Sequence, residues 1–478
     1  MKERVRILLD NNKSRIVGSL KAVKKLREIM KLKSPGYFYS PAWRSRQWDG
    51  FIRYVTDTGT FATGHLDQVC KALKNERYRF TIEDGREHFR DLHEVTSLGD
   101  LESRPYQLEA VRATLANKME GVKYIRGVLH EATNAGKNLI AATIMASFSK
   151  KRMGVFLIDN KVIYEQAVRE LAELLPGGIG EVRSGYVKWD RLTICMVQSL
   201  SNLLKKDRKA KAKLAMVDIV FVDECDTTAN LKTGKNCLTY CVNAPIRIGL
   251  SGTPLAHKDK TRNQNILAFF GPVIHRTSNK QLVDQGYSAK PTIRFPRGNT
   301  KHIYPGDYKR EYRRGIVKSK ERAQIVWRIV HRASKKNKLP VLILVKLHKQ
   351  IEYLLKYCPD KIMDRFTIAT VHHKTPTREA TFKKFSEEKI PILISSMIIR
   401  RGKNLPIMRS LINAAGGDSE ANVLQIFGRG LRKLEGTKEE IDVWDFNDLG
   451  KYLGRHSRHR ILWYKKEGFP VDLNTIIK

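Results

Sequence analysis

Residues 128–148 read VLHEATNAGKNLIAATIMASF, and the way this stretch folds decides how the chain is organised. An apolar lead runs into a turn around Gly136 and Lys137, and a helix-forming run follows at once. A strand, a Gly-Lys turn and a helix together make a cradle for phosphate. The turn amides and the helix N-terminus face the oxyanions, and Lys137 brings a mobile positive charge to the β and γ positions. Thr133, Asn134, Ala135, Gly136, Lys137 and Asn138 are therefore the candidate phosphate-binding residues. Such loops usually continue Lys-Thr or Lys-Ser, because that hydroxyl binds magnesium. Asn138 stands there instead, and its amide oxygen is a neutral donor able to reach Mg²⁺ directly or through water.

A second stretch, DIVFVDECD (218–226), is an apolar strand that ends in an acidic pair. At the carboxyl edge of a parallel sheet, Asp223 can hold the magnesium, usually through water, and Glu224 can orient and deprotonate an attacking water. The expected cofactors are ATP and Mg²⁺, the expected metal donors are Asn138 and Asp223, and the expected activity is ATP hydrolysis with altered metal affinity.

Outward from these stretches, GVFLID, LTICMV, DIVFVDE and PIRIGLSG are near-continuous apolar runs that alternate with helical segments. That is the pattern of a parallel sheet buried on both faces. A second alternating series follows: PVLILV, FTIATVHH, PILISS, SLINAAG and EIDVWDFND. The chain reads as α/β, with two tandem parallel-sheet domains at 93–290 and 315–478 joined by a polar, basic linker at 291–314. Residues 1–92 form a small α+β domain, read as β-β-α-β-β-α-β. In it VRILLD pairs with SRIVGS, and FIRYVT with TFATG.

Lys and Arg number 89 against 49 Asp and Glu, a formal charge of +40, which points to a polyanion as partner. The six cysteines form no CxxC pair, so zinc spacing is absent and a reducing compartment is expected. No apolar run approaches the length of a membrane span, and MKERVRILLD is charged too densely for a secretory signal. The reading is a cytoplasmic protein, in the host cytoplasm if phage-encoded, for which a monomer suffices.

With TNAGK, DECD, SGTP and QIFGRGLR in this order, the chain resembles the superfamily 2 helicases and translocases over roughly residues 100–450. The resemblance implies two RecA-like domains with ATP between them. It places Arg104, Tyr106 and Gln107 of RPYQLEAV at the adenine, where a Gln amide can pair with N6 and N7. It makes Ser251–Pro254 the motif that couples hydrolysis to movement. Gln425, Arg429 and Arg432 match the motif whose arginines reach the γ-phosphate from the partner domain, so that hydrolysis depends on closure. In ILISSMIIRRGKNLP, Gly402 matches a nucleotide-site glycine and Asn404 stands where an Asp is usual.

The resemblance also implies strand contacts at Gln198, Ser199, Lys346, His373 and Ser396, directed at phosphates rather than base sequence. GYFYSPAWRSRQWDGFIRYV, with Trp48-Asp49-Gly50, resembles the leading domain of phage UvsW-type helicases, which are RecG-like in activity. That family implies ATP-driven unwinding or branch migration of forks, junctions and R-loops, and hence branched DNA as partner. The Trp48 segment reads equally well as packing or as a DNA contact, and Trp48 or Tyr54 can stack on a splayed base. An RNA or RNA–DNA helicase and an ATP-switched binding or annealing protein are the alternative functions. A nuclease-complex motor would need a nuclease centre, and no paired-carboxylate-plus-Lys motif lies outside the motor.

Overall fold

The computed structural model describes residues 4–89, 91–175, 177–298, 306–397, 405–434, 436–475 and 477. They form two compact units: Met1–Glu131 with Ala135–Thr277, and Ser278–Lys478 with the three residues Ala132–Asn134.

The first unit is built on an eight-stranded sheet. Its order is Tyr186–Lys188, Ile179–Arg183, Leu192–Met196, Gly154–Ile158, Ile219–Asp223, Ile246–Ser251, Arg126–Glu131, Val273–Thr277. Every pairing is parallel except the one at the Tyr186 edge. Gly154–Ile158, Ile219–Asp223 and Ile246–Ser251 are buried at every position. Alternation along the strands sends Phe156, Phe221 and Ile248 into one core and Val155, Val220 and Val222 into the other. This is why the strands read as unbroken apolar runs.

A four-stranded sheet, ordered Thr60–Ala62, Lys13–Val17, Val5–Leu9, Phe80–Asp84, occupies the N-terminal part of the same unit. Val5–Leu9 and Lys13–Val17 pair antiparallel as expected. The second expected hairpin is corrected. Phe51–Arg53 pairs with Lys31–Lys33, Thr60–Ala62 joins Lys13–Arg15, and a single bridge links Val55 to Phe61. Gly59 explains the change, because at φ +80° it lies on the Ile16 carbonyl, where a Cβ would come within 2.5 Å. The N-terminal sheet is fixed to the larger one. Tyr124 Oη donates to the Thr63 carbonyl at 2.8 Å, and Arg126 Nη2 donates to the Asn11 carbonyl at 2.6 Å. A Cβ on Gly64 would lie 2.1 Å from the Leu267 carbonyl, so only glycine permits that approach.

The second unit has a seven-stranded sheet, ordered Ile368–Val371, Ile392–Ser396, Val341–Val345, Ser410–Asn413, Glu440–Trp444, Lys290–Arg294, Val471–Asp472. All its pairings are parallel. Residues 291–294, read above as linker, thus belong to a strand of this sheet. Each unit carries one parallel sheet of the tandem pair, and the first also carries the small α+β sheet. All six cysteines are buried and unpaired. Among the described residues no helix is long and apolar enough to cross a membrane.

Candidate active site

Strand Arg126–Glu131 leads into the phosphate loop, and helix Lys137–Ala146 starts directly after Gly136. The loop turns through two left-handed residues, Asn134 at φ +74° and Gly136 at φ +77°. One strand, Ile246–Ser251, separates Arg126–Glu131 from Ile219–Asp223, and all three run parallel. Parallel alignment brings the phosphate loop and the acidic pair to one edge. Lys137 Nζ lies 3.4 Å from Asp223 Oδ1 and 3.4 Å from Glu224 Oε1.

Burial opposes a charge on Lys137, yet the two carboxylates more than offset it and hold its pKa above that of an ordinary lysine. Burial pushes the Asp223 carboxyl up, against the pull of Lys137. Asp223 Oδ1 is buried and faces the Lys137 ammonium at 3.4 Å, so the carboxylate points to the place where cations gather in the site. Glu224 sits at φ +44°, a strained backbone for a residue with a side chain, of the kind that collects at functional sites.

The acidic loop is joined to the SGTP segment. Ser251 Oγ donates to Asp226 Oδ1 at 2.8 Å, and the Thr253 amide donates to Ser251 Oγ at 3.1 Å. His257 Nε2 lies 3.0 Å from the Asp226 carbonyl, and His130 Nε2 lies 3.0 Å from the Gly252 carbonyl. Burial, with Glu224 adding to it, brings the Asp226 carboxyl up to about 7. Asp226, two residues after Glu224, is thus hydrogen-bonded to the end of strand Ile246–Ser251.

One assignment changes. Gln107 was expected to read adenine, but both ends of its buried amide are engaged. Oε1 accepts from the Arg104 amide at 2.8 Å, and Nε2 donates to the Ala135 carbonyl at 2.9 Å. A Cβ on Gly136 would lie 2.4 Å from that nitrogen, so the glycine admits the brace. Tyr106 is fully buried, with its hydroxyl 3.3 Å from Nη1 of the exposed Arg104. Gln107 thus ties helix Pro105–Leu115 to the phosphate loop. Gln107→Ala should raise KM for ATP and GTP alike, by about tenfold for loss of buried hydrogen bonds worth about 1–1.5 kcal/mol. A selective loss of ATP over GTP in steady-state assays would restore the base-reading role.

Asn138, expected on the metal, donates its amide to Glu170 Oε2 at 2.7 Å, while Gln166 donates to Glu170 Oε1 at 2.6 Å. The Nδ2 end of Asn138 thus holds helix Lys161–Leu174, a contact that does not use Oδ1, the atom expected at the ion. Asn138→Ala should cost about 1 kcal/mol in urea melts, because the bond is partly exposed. The Mg²⁺ concentration that half-saturates ATPase tests the metal role: a rise of about tenfold, which a lost ligand bond of about 1.4 kcal/mol gives, puts Oδ1 on the ion, and a change below about twofold leaves Asn138 as a brace alone.

In the second unit Gln425 and Arg429 lie four residues apart, hence on one face of helix Glu420–Gly430. Arg432 follows the helix, exposed, with its backbone bridged to Ser288. No pattern in the sequence singles out the residue that fixes this turn. Lys438, 2% exposed, donates to the carbonyls of Pro406, Gly430 and Arg432 at 2.9, 2.5 and 3.1 Å. Burial, with Arg409 adding to it, brings its pKa down to about 7. Gly402 and Asn404 lie outside the described residues.

Of the expected strand contacts, Gln198 and Ser199 open helix Val197–Lys206 after strand Leu192–Met196. The Gln198 amide donates to the Asp159 carbonyl at 2.9 Å. Lys346, His373 and Ser396 follow or end three adjacent parallel strands, so the second sheet gathers them on one edge. Lys346 Nζ stands 5.1 Å from the Tyr312 ring centroid and 5.8 Å from that of Tyr308, two aromatics the sequence reading missed.

Residues 100–256 match the family model described as type III restriction enzyme, res subunit, and residues 321–433 match the helicase conserved C-terminal domain. The ATP-dependent DNA helicase uvsW of Enterobacteria phage T4 is 23% identical, covering 94% of this chain and 95% of its own length. The DNA 3'-5' translocase XPB2 of Sulfurisphaera tokodaii is also 23% identical, over 75% of this chain and 85% of its own. In fold, the chain is similar to a fragment of a type I restriction enzyme HsdR subunit from Vibrio vulnificus. The TM-score is 0.60 at 18% identity, covering 88% of this chain and 75% of the other.

Proposed function

We propose, from the premise that this chain belongs to the superfamily 2 helicases and is an ATP-dependent helicase or translocase, that its substrate is branched DNA. It would unwind or branch-migrate forks, four-way junctions or R-loops. The observation that carries the chemistry is the Lys137 ammonium placed 3.4 Å from both the Asp223 and Glu224 carboxylates at one sheet edge. In this reading Lys137 binds the β- and γ-phosphates, and Glu224 orients the attacking water and takes its proton. Asp223 would hold Mg²⁺, which would neutralise charge on the phosphates. Its buried carboxylate, at the sheet edge beside the Lys137 ammonium, fits that role. Among the described residues no group of three His, Cys, Asp or Glu is placed to hold a metal. That suits Mg²⁺, which takes one or two carboxylates and fills its shell with water and phosphate oxygens.

Gln425, Arg429 and Arg432 are assigned to the γ-phosphate in the transition state, which would make hydrolysis sensitive to movement of the second domain. Gln198, Ser199, Lys346, His373 and Ser396 are assigned to the DNA backbone, helped by the +40 charge. DNA as substrate is supported by the two relatives, a DNA helicase and a DNA translocase.

The test is ATPase and unwinding on single strand, blunt duplex, fork, four-way junction and R-loop, with Glu224→Gln as the inactive control. Faster turnover and unwinding on the branched substrates is the expected result. Activity confined to RNA duplex would replace this reading with an RNA helicase, and an ATPase indifferent to nucleic acid would replace it with a switch.

A further inference from the structure

We propose that the insertion between strands Lys31–Lys33 and Phe51–Arg53 is a stacking platform for unpaired nucleotides at a DNA branch. This rests on the reading that DNA is the substrate, and it assigns a ligand to a part of the chain outside the motor. Within six residues the insertion exposes three large aromatics: Tyr39 is 71% exposed, Phe38 46% and Trp43 37%. Surface rings in such density mark an interaction site. They are also ordered against one another. Tyr37 meets Trp43 edge-on with centroids 5.1 Å apart and Phe38 at 5.6 Å, and Phe38 and Tyr39 lie 4.3 Å apart.

The WDG element builds this cluster. Trp48 Nε1 donates to the Phe51 carbonyl at 2.9 Å, and Asp49 Oδ1 accepts from the Phe51 amide at 3.1 Å. Gly50, at φ +81°, leaves room for the rings, since a Cβ there would come within 3.0 Å of Tyr37 and 3.3 Å of Trp43. Trp48 is therefore the brace, and Trp43 is the ring it helps to present. Tyr54 is packed edge-on against His65, 5.2 Å away.

Charge selects the occupant. Beside the rings an open groove of about 700 Å³ is lined by Trp43, Trp48, Arg44, Arg46, Arg53 and Asp49. Arg53 is neutralised by its two-pronged contact with Asp49, while Arg44 and Arg46, which also line the groove, form no ion pair among the described residues. Lys33 adds a further cation, 4.4 Å from the Tyr37 centroid. Aromatic faces interleaved with cations match the alternating bases and phosphates of a single strand. A blunt duplex keeps its base faces stacked and offers only phosphate. The platform should therefore distinguish a splayed branch from a paired end.

The experiment uses the full chain without nucleotide and three DNAs: a fork with 2-aminopurine at the first unpaired position, a blunt duplex, and a single strand. The wild type should quench the probe in the fork. The double variant Tyr39→Ala/Trp43→Ala should lose the quenching and about tenfold or more in fork affinity, as expected for two lost stacking faces. Its duplex affinity should stay within about twofold, since phosphate contacts carry that binding. Trp43→Phe should retain both signals. Fork binding and quenching unchanged in the double variant would overturn the proposal. An equal loss on blunt duplex would also overturn it, by making the patch a general contact. ATPase of the same proteins at saturating single strand separates the two readings: its maximal rate should be preserved in the variant, with only the half-saturating strand concentration raised, and its absence in the wild type would sink the motor while leaving the fork result to stand alone.

Discussion

Glu224→Gln should leave ATP bound and nearly stop its hydrolysis, with kcat falling about 10²–10⁴-fold, the usual worth of a positioned general base. The geometry makes this variant unusually clean. Glutamate and glutamine are isosteric, and the backbone of Glu224, at φ +44°, is fixed by the turn into helix Cys225–Thr228 rather than by its carboxylate. Lys137 keeps Asp223 as its partner at 3.4 Å, so the phosphate-binding charge stays in place. Lys137→Ala differs, because it removes a cation that lies 3.4 Å from two largely buried carboxylates. Affinity should then fall together with turnover. The check is steady-state ATPase at saturating Mg²⁺ and fork DNA, alongside equilibrium binding of a fluorescent ATP analogue. A Glu224→Gln enzyme that turned over within about tenfold of wild type would place the base elsewhere.

These residues were legible in the sequence for a topological reason. Each sits at the end of an apolar run, and parallel strands with crossover helices bring all such ends to one edge. Lys137 and Asp223 therefore meet although 86 positions separate them (223 − 137). Other roles depend on partners that no spacing reveals. Gln107 looks free for a base until the Ala135 carbonyl is found beside it, and no spacing shows that Glu170, 32 residues on, accepts from the Asn138 amide nitrogen. Lys438 lies in the charged stretch TKEEI, where a solvated lysine is the natural reading, yet three carbonyls of neighbouring loops enclose it. The N-terminal hairpin went astray on register. Three-residue strands such as Phe51–Arg53 carry too little alternation to choose a partner, and the choice fell to Gly59 packing on Ile16.

Arg460→Met should destabilise the second unit by about 3–5 kcal/mol, the usual cost of leaving a buried carboxylate without its cation. Arg460 and Asp445 are 1% and 0% exposed at their side chains, and Arg460 Nε lies 2.9 and 3.0 Å from the two Asp445 oxygens. The same guanidinium donates to the Gly417 carbonyl at 2.8 Å and the Phe446 carbonyl at 3.0 Å, while Asp445 also accepts from Asn413 at 2.9 Å. A second pair, Arg322 to Asp448 at 2.6 Å, lies against the first, with Arg460 Nη2 3.7 Å from Asp448. One side chain thus holds the ends of two strands and the Gly417 turn, two residues before the Ser419 cap of the helix that carries Gln425 and Arg429. Lysine has no planar fork to reach these acceptors together, so Arg460→Lys should recover only part of the loss. Arg460→Met/Asp445→Leu should cost less than Arg460→Met alone, because removing both charges leaves neither one buried and unpaired. Urea unfolding of the full chain, followed by hydrogen exchange so that the two units report separately, measures all three. If the double variant proved the least stable, charge pairing would not be what anchors this core, and packing of the arginine stem would have to take its place.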